Sequence, residues 1–222
     1  DGARWFTTRP VSMRDPAAPL PEPLRELRPE PDDRVPGHVR ERPGWLDEPR
    51  ERPRVAVTLG TVNAGRIDIL RPIIEGVAAR PLDLVVALGA DPASLGRVPP
   101  NVRVEPYVPM SDLAPWADVV VHHAGAGTTL ASLAAGRPMV VIPLTADQFD
   151  NTADALRTGA AIELTAGALT PESAALAVHR VLDESAYPAA ARAVAAEIAA
   201  MPGAKEAWLE IEKLTRPIGA TD

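Results

Sequence analysis

The stretch of sequence that decides the fold is Val119-Val120-Val121-His122-His123-Ala124-Gly125-Ala126-Gly127-Thr128-Thr129. Three consecutive valines are typical of a strand that is covered on both faces, and the glycines that follow free the backbone for a sharp turn. Apolar periodicity resumes at Thr128 and predicts a helix, whose amino end carries a partial positive charge. A strand, a glycine turn and a helix start in this order predict a cradle of backbone N–H groups for a phosphate.

Short apolar runs alternate with amphipathic helical patterns on both sides of this stretch, from about residue 53 onward. Such alternation is typical of βαβ units around a parallel sheet. The predicted strands are residues 54–59, 82–88, 102–105, 118–122, 139–142 and 161–164. The predicted helices are residues 67–79, 111–115, 128–135, 147–157, 171–184, 188–200 and 204–214. The predicted fold class is therefore α/β, with a Rossmann-like parallel sheet and flanking helices over residues 51–222.

Residues 1–50 have a different composition. Prolines recur among charges of both signs, and no apolar periodicity lasts longer than one helical turn. Because such a segment cannot bury a core, we expect a proline-rich extended arm that lies over the rest of the chain. Its expected anchor points are Trp5, Phe6, Trp45 and Leu46. The chain begins with Asp1 and not with methionine, so we expect it to be a piece of a longer protein.

The composition excludes several classes of partner and site. A formal net charge of −7 argues against a nucleic-acid surface, which needs a basic patch. The absence of cysteine excludes disulfides and thiolate metal sites and fits a reducing compartment. No apolar stretch approaches the roughly 20 residues of a membrane span, and no signal-peptide pattern is present. We therefore expect a cytoplasmic protein.

Polar and aromatic side chains follow several predicted strands at the edge where such sheets bind ligands. Thr61, Tyr107, His123 and Asp147 all come directly after a predicted strand or in the loop that follows it. In open parallel sheets, ligands lie beyond the carboxyl ends of the strands. An imidazole N–H at His123 would join the backbone amides and threonine hydroxyls that converge on one anion.

Each of these residues also has a purely structural explanation. His123 can satisfy neighbouring backbone groups, and either Thr128 or Thr129 can cap the helix that follows the glycine turn. Asp147 can cap its own helix in the same way. His38 and His179 lack comparable neighbours, and we expect both to face solvent.

Several spaced motifs together resemble the donor-binding domain of GT-B glycosyltransferases. They are Pro53-Arg54-Val55, Thr58-Leu59-Gly60-Thr61, Pro106-Tyr107-Val108-Pro109, His122 to Leu130, Ala134-Ala135-Gly136-Arg137-Pro138, Pro143 and Asp147-Gln148-Phe149-Asp150-Asn151. More narrowly, the chain is similar to the bacterial enzymes that attach deoxysugars to macrolide, polyketide and enediyne antibiotics. The resemblance covers roughly residues 40–185, and this combination of motifs is far more specific than a single glycine pattern.

The resemblance implies a role for each matching position. The donor diphosphate would be held by His123, Gly125, Gly127, Thr128 and Thr61. No metal would be needed, because the helix end, the histidine and the threonines would stabilise the charge of the departing nucleoside diphosphate.

The same resemblance assigns the nucleobase and the sugar. Tyr107 matches the aromatic residue that stacks on the base, and the backbone of Val108 matches the one that hydrogen-bonds the base edge. Asp147 and Gln148 match the pair that binds the sugar hydroxyls. The sequence shows no carboxylate cluster suited to Mg²⁺, which agrees with a metal-independent site.

The chain departs from the family pattern at four positions. Tyr107 stands where tryptophan is usual, and Ala124 stands where a glycine is usual. Met110 and Ala131 stand where relatives that use uridine donors carry glutamine and glutamate, which hold ribose hydroxyls. Because a site without a partner for a 2′-hydroxyl tolerates deoxyribose, we expect a dTDP-linked sugar in preference to a UDP-linked one.

The resemblance also implies a missing half. Family members have an N-terminal domain that binds the acceptor and supplies the catalytic base. Residues 1–50 resemble only the end of that domain and the linker into the donor domain. We therefore expect the C-terminal half of an inverting glycosyltransferase, which binds donor nucleotide and transfers no sugar alone.

The last helix would pack on the missing domain. We expect a partly exposed apolar patch there that favours self-association, formed by Trp208, Leu209, Ile211 and Leu214. Two alternatives remain open at this point. One is a stand-alone module that binds nucleotide-sugars or has a regulatory role. The other is a different GT-B enzyme that uses a UDP-sugar, such as an epimerase or a cell-wall N-acetylglucosaminyl transferase.

Overall fold

A computed structural model describes residues 5–30 and 42–215. Its main feature is a six-stranded sheet in which every pairing is parallel, with the order β5-β4-β3-β6-β7-β8. The strands of this sheet are β3 (Arg54–Thr58), β4 (Asp83–Ala87), β5 (Val102–Glu105), β6 (Val119–His122), β7 (Met139–Val141) and β8 (Ala161–Glu163). The predicted α/β class with a parallel sheet is confirmed.

The helices lie on both faces of the sheet. They are α1 (Ile67–Val77), α2 (Met110–Trp116), α3 (Ala126–Ala134), α4 (Gln148–Arg157), α5 (Pro171–Asp183), α6 (Ala186–Ala200) and α7 (Ala204–Thr215). Every predicted helix is present, with ends that differ by at most two residues. α6 begins before Pro188, because proline is tolerated in the first turn of a helix, where its missing N–H breaks no bond.

Strand alternation assigns the core residues to the two faces. Val55 and Val57 of β3 pack with α1 and α5 in one cluster, whereas Ala56 between them packs with α2 in another. Val119, Val120 and Val121 are all buried, as expected of a strand covered on both faces. The order of strands reverses between β3 and β6, and ligands in such sheets bind at that switch point, beyond the carboxyl ends.

The N-terminal arm contains short regular structure that the sequence did not predict. Two strands, β1 (Trp5–Thr7) and β2 (Leu24–Glu26), pair in parallel, and Met13 is buried among side chains of α3, α4 and α6. The prediction that Trp5 anchors the arm is wrong, since this side chain is 52% exposed. A ribbon of two three-residue strands is too small to enclose an indole. Phe6, the next residue of β1, is half-buried.

The second part of the arm is anchored as predicted. Trp45 and Leu46 are buried against α2 and the sheet. The rings of Trp45 and Trp116 meet edge to face, with centroids 5.4 Å apart. The guanidinium of Arg54 lies 5.1 Å from the Trp116 ring, so aromatic and cation–π contacts attach the arm to the start of β3.

Candidate functional site

The switch point between β3 and β6 is occupied by the imidazole of His123. Thr58 pairs with His122 in the sheet, so the loop that starts at Gly60 and the loop that carries His123 leave side by side. A Cβ atom on Gly60 would lie 2.7 Å from Cε1 of His123, and one on Gly125 would lie 2.5 Å from its Nε2. Both glycines are therefore required where they stand, because they make room for this ring.

His123 is buried apart from 7% of its surface. Burial lowers the pKa of His123 below its ordinary value, while the negative charge of Asp147 and the backbone of Thr58 act in the opposite direction. The ring is therefore neutral near pH 7, with one nitrogen that donates and one that accepts. A neutral imidazole of this kind can donate a hydrogen bond to a phosphate oxygen.

His122 has a different, structural role. Its ring is fully buried on the other side of β6, where Nδ1 accepts the N–H of Ala124 at 3.1 Å and Nε2 lies 3.1 Å from the sulfur of Met139. Burial, followed by the charge of His123, lowers the pKa of His122 to about 3. Because successive side chains of a strand point to opposite faces, only one of the two histidines can reach the ligand edge.

Ala124 has a backbone conformation that favours glycine. Its φ angle is +61°, and its methyl group is buried. The N–H of Ala124 donates to His122, and its carbonyl oxygen accepts a bond from Nδ2 of Asn151 at 3.0 Å. A non-glycine residue persists in this region only when its surroundings fix it, and here both sides of its peptide backbone are held.

The helix α3 begins two residues earlier than predicted. Its N-cap is Gly125, which makes no side-chain bond, so the prediction that Thr128 or Thr129 caps this helix is wrong. Thr129 is buried, and its hydroxyl donates to the carbonyl of Gly125 at 3.0 Å. The sequence Ala126-Gly127 enters the helix because nothing in it forbids helical angles, which places Thr128 within the first turn.

The amino end of α3 is an open set of donors. The first bond inside the helix joins the N–H of Thr129 to the carbonyl of Gly125 at 2.9 Å, so the N–H groups of residues 126–128 point out of the helix end. A Cβ atom on Gly127 would meet nothing within 4 Å. The space above Gly127 is therefore large enough for a ligand to approach the backbone.

Asp147 and Gln148 lie where the loop after β7 enters α4: Asp147 is the last residue before the helix, and Gln148 is its first. Asp147 is exposed and makes no capping bond, so its predicted capping role is wrong; its Oδ2 accepts instead from Nδ2 of Asn151 at 3.0 Å. Oε1 of the buried Gln148 accepts the N–H groups of Leu144 and Thr145, at 2.8 and 3.1 Å. These bonds leave the amide NH₂ of Gln148 as its group for a ligand.

The remaining predicted residues lie in loops at the same edge of the sheet. Thr61 is exposed in the turn after Gly60, and Tyr107 is half-buried in the loop after β5. Val108 is buried against α2, so only its backbone can serve a ligand. Met110 opens α2 half-buried, and Ala131 lies buried within α3.

Two residues that sequence reasoning missed complete the site. Asn151 lies one helical turn after Asp147, a spacing that places both on one face of α4 and that could have indicated their contact. Arg9 of the arm donates to Oδ1 of Asn151 at 3.0 Å. No sequence signal indicates that contact, because it joins residues that are far apart in the chain.

The remaining predictions concern the other histidines and the apolar patch of the last helix. The prediction that His179 faces solvent is wrong, because the side chain is half-buried. Burial, followed by the charge of Arg80, lowers the pKa of His179. His38 lies outside the described residues. Trp208, Leu209 and Ile211 of α7 are exposed, as expected, while the side chain of Leu214 lies outside the described part.

Within residues 5–30 and 42–215, no group of three or more His, Cys, Asp or Glu side chains is arranged to hold a metal ion. None of the helices in this part of the chain combines the length and the apolar character that crossing a bilayer requires.

Solved glycosyltransferases share this architecture. SnogD from Streptomyces nogalater matches with a TM-score of 0.77 and 33% identity, over 94% of this chain and 56% of that one. VinC, solved in complex with dTDP, matches with a TM-score of 0.78 and 28% identity, over 92% of this chain and 50% of that one.

Sequence comparison leads to the same group of proteins. The elloramycin glycosyltransferase ElmGT of Streptomyces olivaceus is 40% identical over 156 residues, which are 68% of this chain and 39% of that protein. The chain thus spans about two fifths of the length of this relative. The family model described as "Erythromycin biosynthesis protein CIII-like, C-terminal domain" matches residues 72–214. The chain belongs to this family, the C-terminal domain of glycosyltransferases of antibiotic biosynthesis.

Proposed function

We propose that this chain is the donor-binding half of an inverting glycosyltransferase that moves a deoxysugar from a dTDP-sugar to a hydroxyl of a natural-product aglycone. The observation that carries the proposal is the imidazole of His123, held between Gly60 and Gly125 at the amino end of α3. This arrangement places a neutral N–H donor beside the free N–H groups of a helix start, and both favour a diphosphate.

The diphosphate would lie in the space above Gly127. His123 and the N–H groups of residues 126–128 would donate to its oxygens, with the hydroxyls of Thr128 and Thr61 at its sides. Negative charge grows on the diphosphate as the bond to the sugar breaks. Donors that are already oriented stabilise this charge without a metal ion, which is why we propose a metal-independent reaction.

The nucleoside would extend toward the loop after β5. Tyr107 would stack on the base, and the backbone of Val108 would bond its edge. Met110 and Ala131 offer no hydrogen bond to a ribose 2′-hydroxyl, and a hydroxyl buried without a partner loses binding free energy. This argument favours thymidine, and VinC has been solved with dTDP.

The sugar would be bound by the start of α4. One carboxylate oxygen of Asp147 is held by Asn151, so the exposed carboxylate has a fixed direction in which to accept from sugar hydroxyls. The amide NH₂ of Gln148 would donate beside it. A carboxylate next to an amide donor suits the paired hydroxyls of a hexose.

The acceptor and the catalytic base would come from a separate N-terminal domain. A base there would remove the proton from the acceptor hydroxyl, whose oxygen would attack the anomeric carbon opposite the departing dTDP and invert its configuration. This chain alone would bind nucleotide without transferring sugar. The exposed side chains of Trp208, Leu209 and Ile211 are where that domain would pack, and without it they favour self-association.

Transfer and nucleotide preference test this proposal together. We expect no glycosyl transfer by the 222-residue chain with any dTDP-sugar and aglycone, and transfer with inverted configuration once a complementary N-terminal domain is added. In the presence of EDTA, calorimetry is expected to give dTDP binding several-fold tighter than UDP binding. Tighter binding of UDP would refute the thymidine preference, and transfer by the chain alone would refute its dependence on a second domain.

A further inference from the structure

A chain of hydrogen bonds links the N-terminal arm to the candidate site. Nη2 of the Arg9 guanidinium donates to Oδ1 of Asn151 at 3.0 Å. Nδ2 of Asn151 donates both to the carbonyl oxygen of Ala124 and to Oδ2 of Asp147, each at 3.0 Å. One buried amide therefore joins the arm, the loop that carries His123, and the carboxylate assigned to the sugar.

The orientation of this amide is fixed from both sides, by the donor Arg9 and by its two acceptors. Asn151 is only 2% exposed, so its bonds are made inside the protein. A guanidinium can only donate, and it therefore requires the oxygen of the amide on its side. Both N–H groups must then point to Ala124 and Asp147. If the amide were reversed, an N–H group would face the guanidinium and an oxygen would face a carbonyl and a carboxylate.

Arg9 is itself held in place by α4. Its Nη1 forms an ion pair of 2.6 Å with Asp154, a carboxylate that is 10% exposed. Arg157 also pairs with Asp154, at 2.5 Å, and reaches Asp15 of the arm at 3.5 Å. Two arginines thus share one carboxylate where the arm meets α4, but only Arg9 bonds to Asn151.

Both groups that Asn151 holds affect His123. Ala124, which directly follows His123, has a φ angle of +61°, and the bond from Asn151 holds the carbonyl of this strained residue. Asp147 acts on the same ring, because its charge opposes the lowering of the pKa of His123. Movement of the Asn151 amide would therefore change both the loop and the charge around His123.

We propose that Arg9 and Asn151 are positioning residues of the donor site, through which the proline-rich arm fixes the loop of His123 and the carboxylate of Asp147. This inference rests on the proposed donor-binding function. It gives the arm a role beyond that of a linker: removal of one arm side chain changes nucleotide binding without any contact between that side chain and the nucleotide.

The test compares Arg9 with Arg157 in the 222-residue chain. Arg9→Met removes both the ion pair with Asp154 and the bond to Asn151. Arg9→Lys keeps a positive charge near Asp154 but lacks the fork that reaches both partners. Arg157→Met is the matched control, because it removes the other ion pair to Asp154 and leaves Asn151 untouched.

Two measurements are made on each variant: dTDP affinity by calorimetry, and the ring signals and pKa of His123 by NMR without nucleotide. We expect both Arg9 variants to bind dTDP about five- to tenfold more weakly and to shift the His123 signals. Arg157→Met is expected to bind within about twofold of the unmodified chain, with unshifted signals.

Equal effects of the Arg9 and Arg157 variants would overturn the inference, since they would show that only docking of the arm matters. Unchanged His123 signals in Arg9→Met would also overturn it. If the unmodified chain fails to bind dTDP, the proposed function is refuted, whereas the NMR comparison still decides whether Arg9 positions the loop of His123.

Discussion

The imidazole of His123 occupies the place where Gly125 has no side chain: a Cβ atom on Gly125 would lie 2.5 Å from Nε2. The same ring lies 2.7 Å from the position of a Cβ on Gly60, whose φ angle is +65°. The glycine after His123 therefore does more than permit a turn. It sets the position of the ring against the start of α3.

Gly125→Ala is expected to push the ring out of its place. The added methyl meets ring atoms that also lie against Gly60, so overpacking costs about 1–3 kcal/mol of stability. Affinity for dTDP, measured by calorimetry, is expected to fall at least about tenfold. Gly167→Ala is the control, because a Cβ there meets nothing within 4 Å. Undiminished dTDP affinity in Gly125→Ala would contradict the assigned role of the ring.

Gly127→Ala is expected to separate stability from binding. The added methyl has free space and improves helix propensity in α3. The free energy of unfolding should therefore stay equal or rise by at most about 1 kcal/mol, and the melting temperature should not fall. The same methyl would enter the space assigned to the diphosphate and weaken dTDP binding. A variant that binds dTDP as well as the unmodified chain would show that the diphosphate lies elsewhere.

His122 is expected to make the protein sensitive to acid. The folded pKa is about 3 and the ordinary value is 6.5, so between these pH values the unfolded chain binds a proton that the folded chain does not. Stability contributed by the neutral ring is thus complete above about pH 6.5 and falls as the pH decreases, by up to about 1.4 kcal/mol per pH unit.

Denaturant unfolding between pH 4 and pH 7.5 measures this contribution. The asparagine of His122→Asn has an oxygen that can accept the N–H of Ala124. Its side chain does not titrate in this pH range. Its stability should therefore depend less steeply on pH than that of the unmodified chain, and the two curves should converge toward low pH. Parallel curves would exclude His122 as the source of the acid sensitivity.

Two alanines in the left-handed region are expected to respond differently to glycine. Ala146 has a φ angle of +54° and is exposed, so Ala146→Gly should raise stability by about 0.5–1 kcal/mol through relief of strain. Ala124 has a similar φ angle, but its methyl is buried, and Ala124→Gly should gain less. Thermal unfolding of both variants checks this order. The reverse order would show that burial of the Ala124 methyl contributes little.

Much of the fold could be predicted from the sequence, because apolar runs indicate buried strands and helical periodicity indicates amphipathic helices. Both patterns can be recognised without knowledge of tertiary contacts. The start of α3 was not accessible, since Thr128 and Thr129 are good caps and only the backbone angles of Gly125 show that the helix begins earlier. Which of the two adjacent histidines faces the ligand edge depends on the register of β6, so the prediction of His123 rested on the glycine turn that follows it and on the family resemblance.

The contacts of the arm were the least predictable part. Its buried anchor Met13 and its link to Asn151 through Arg9 depend on how two distant segments dock. Neither periodicity nor local propensity carries that information. Tryptophan at position 5 looked like an anchor by its apolar surface alone, yet it lies at the exposed start of a two-stranded ribbon.

The central claim is that His123 and the start of α3 bind the diphosphate of a nucleotide donor. Calorimetric titration of dTDP into the unmodified chain and into His123→Ala tests it most directly. We predict saturable binding at one site in the unmodified chain and affinity at least about tenfold weaker in His123→Ala, with unfolding that remains cooperative. Absence of saturable dTDP binding, or equal affinity of a folded His123→Ala variant, would contradict the account.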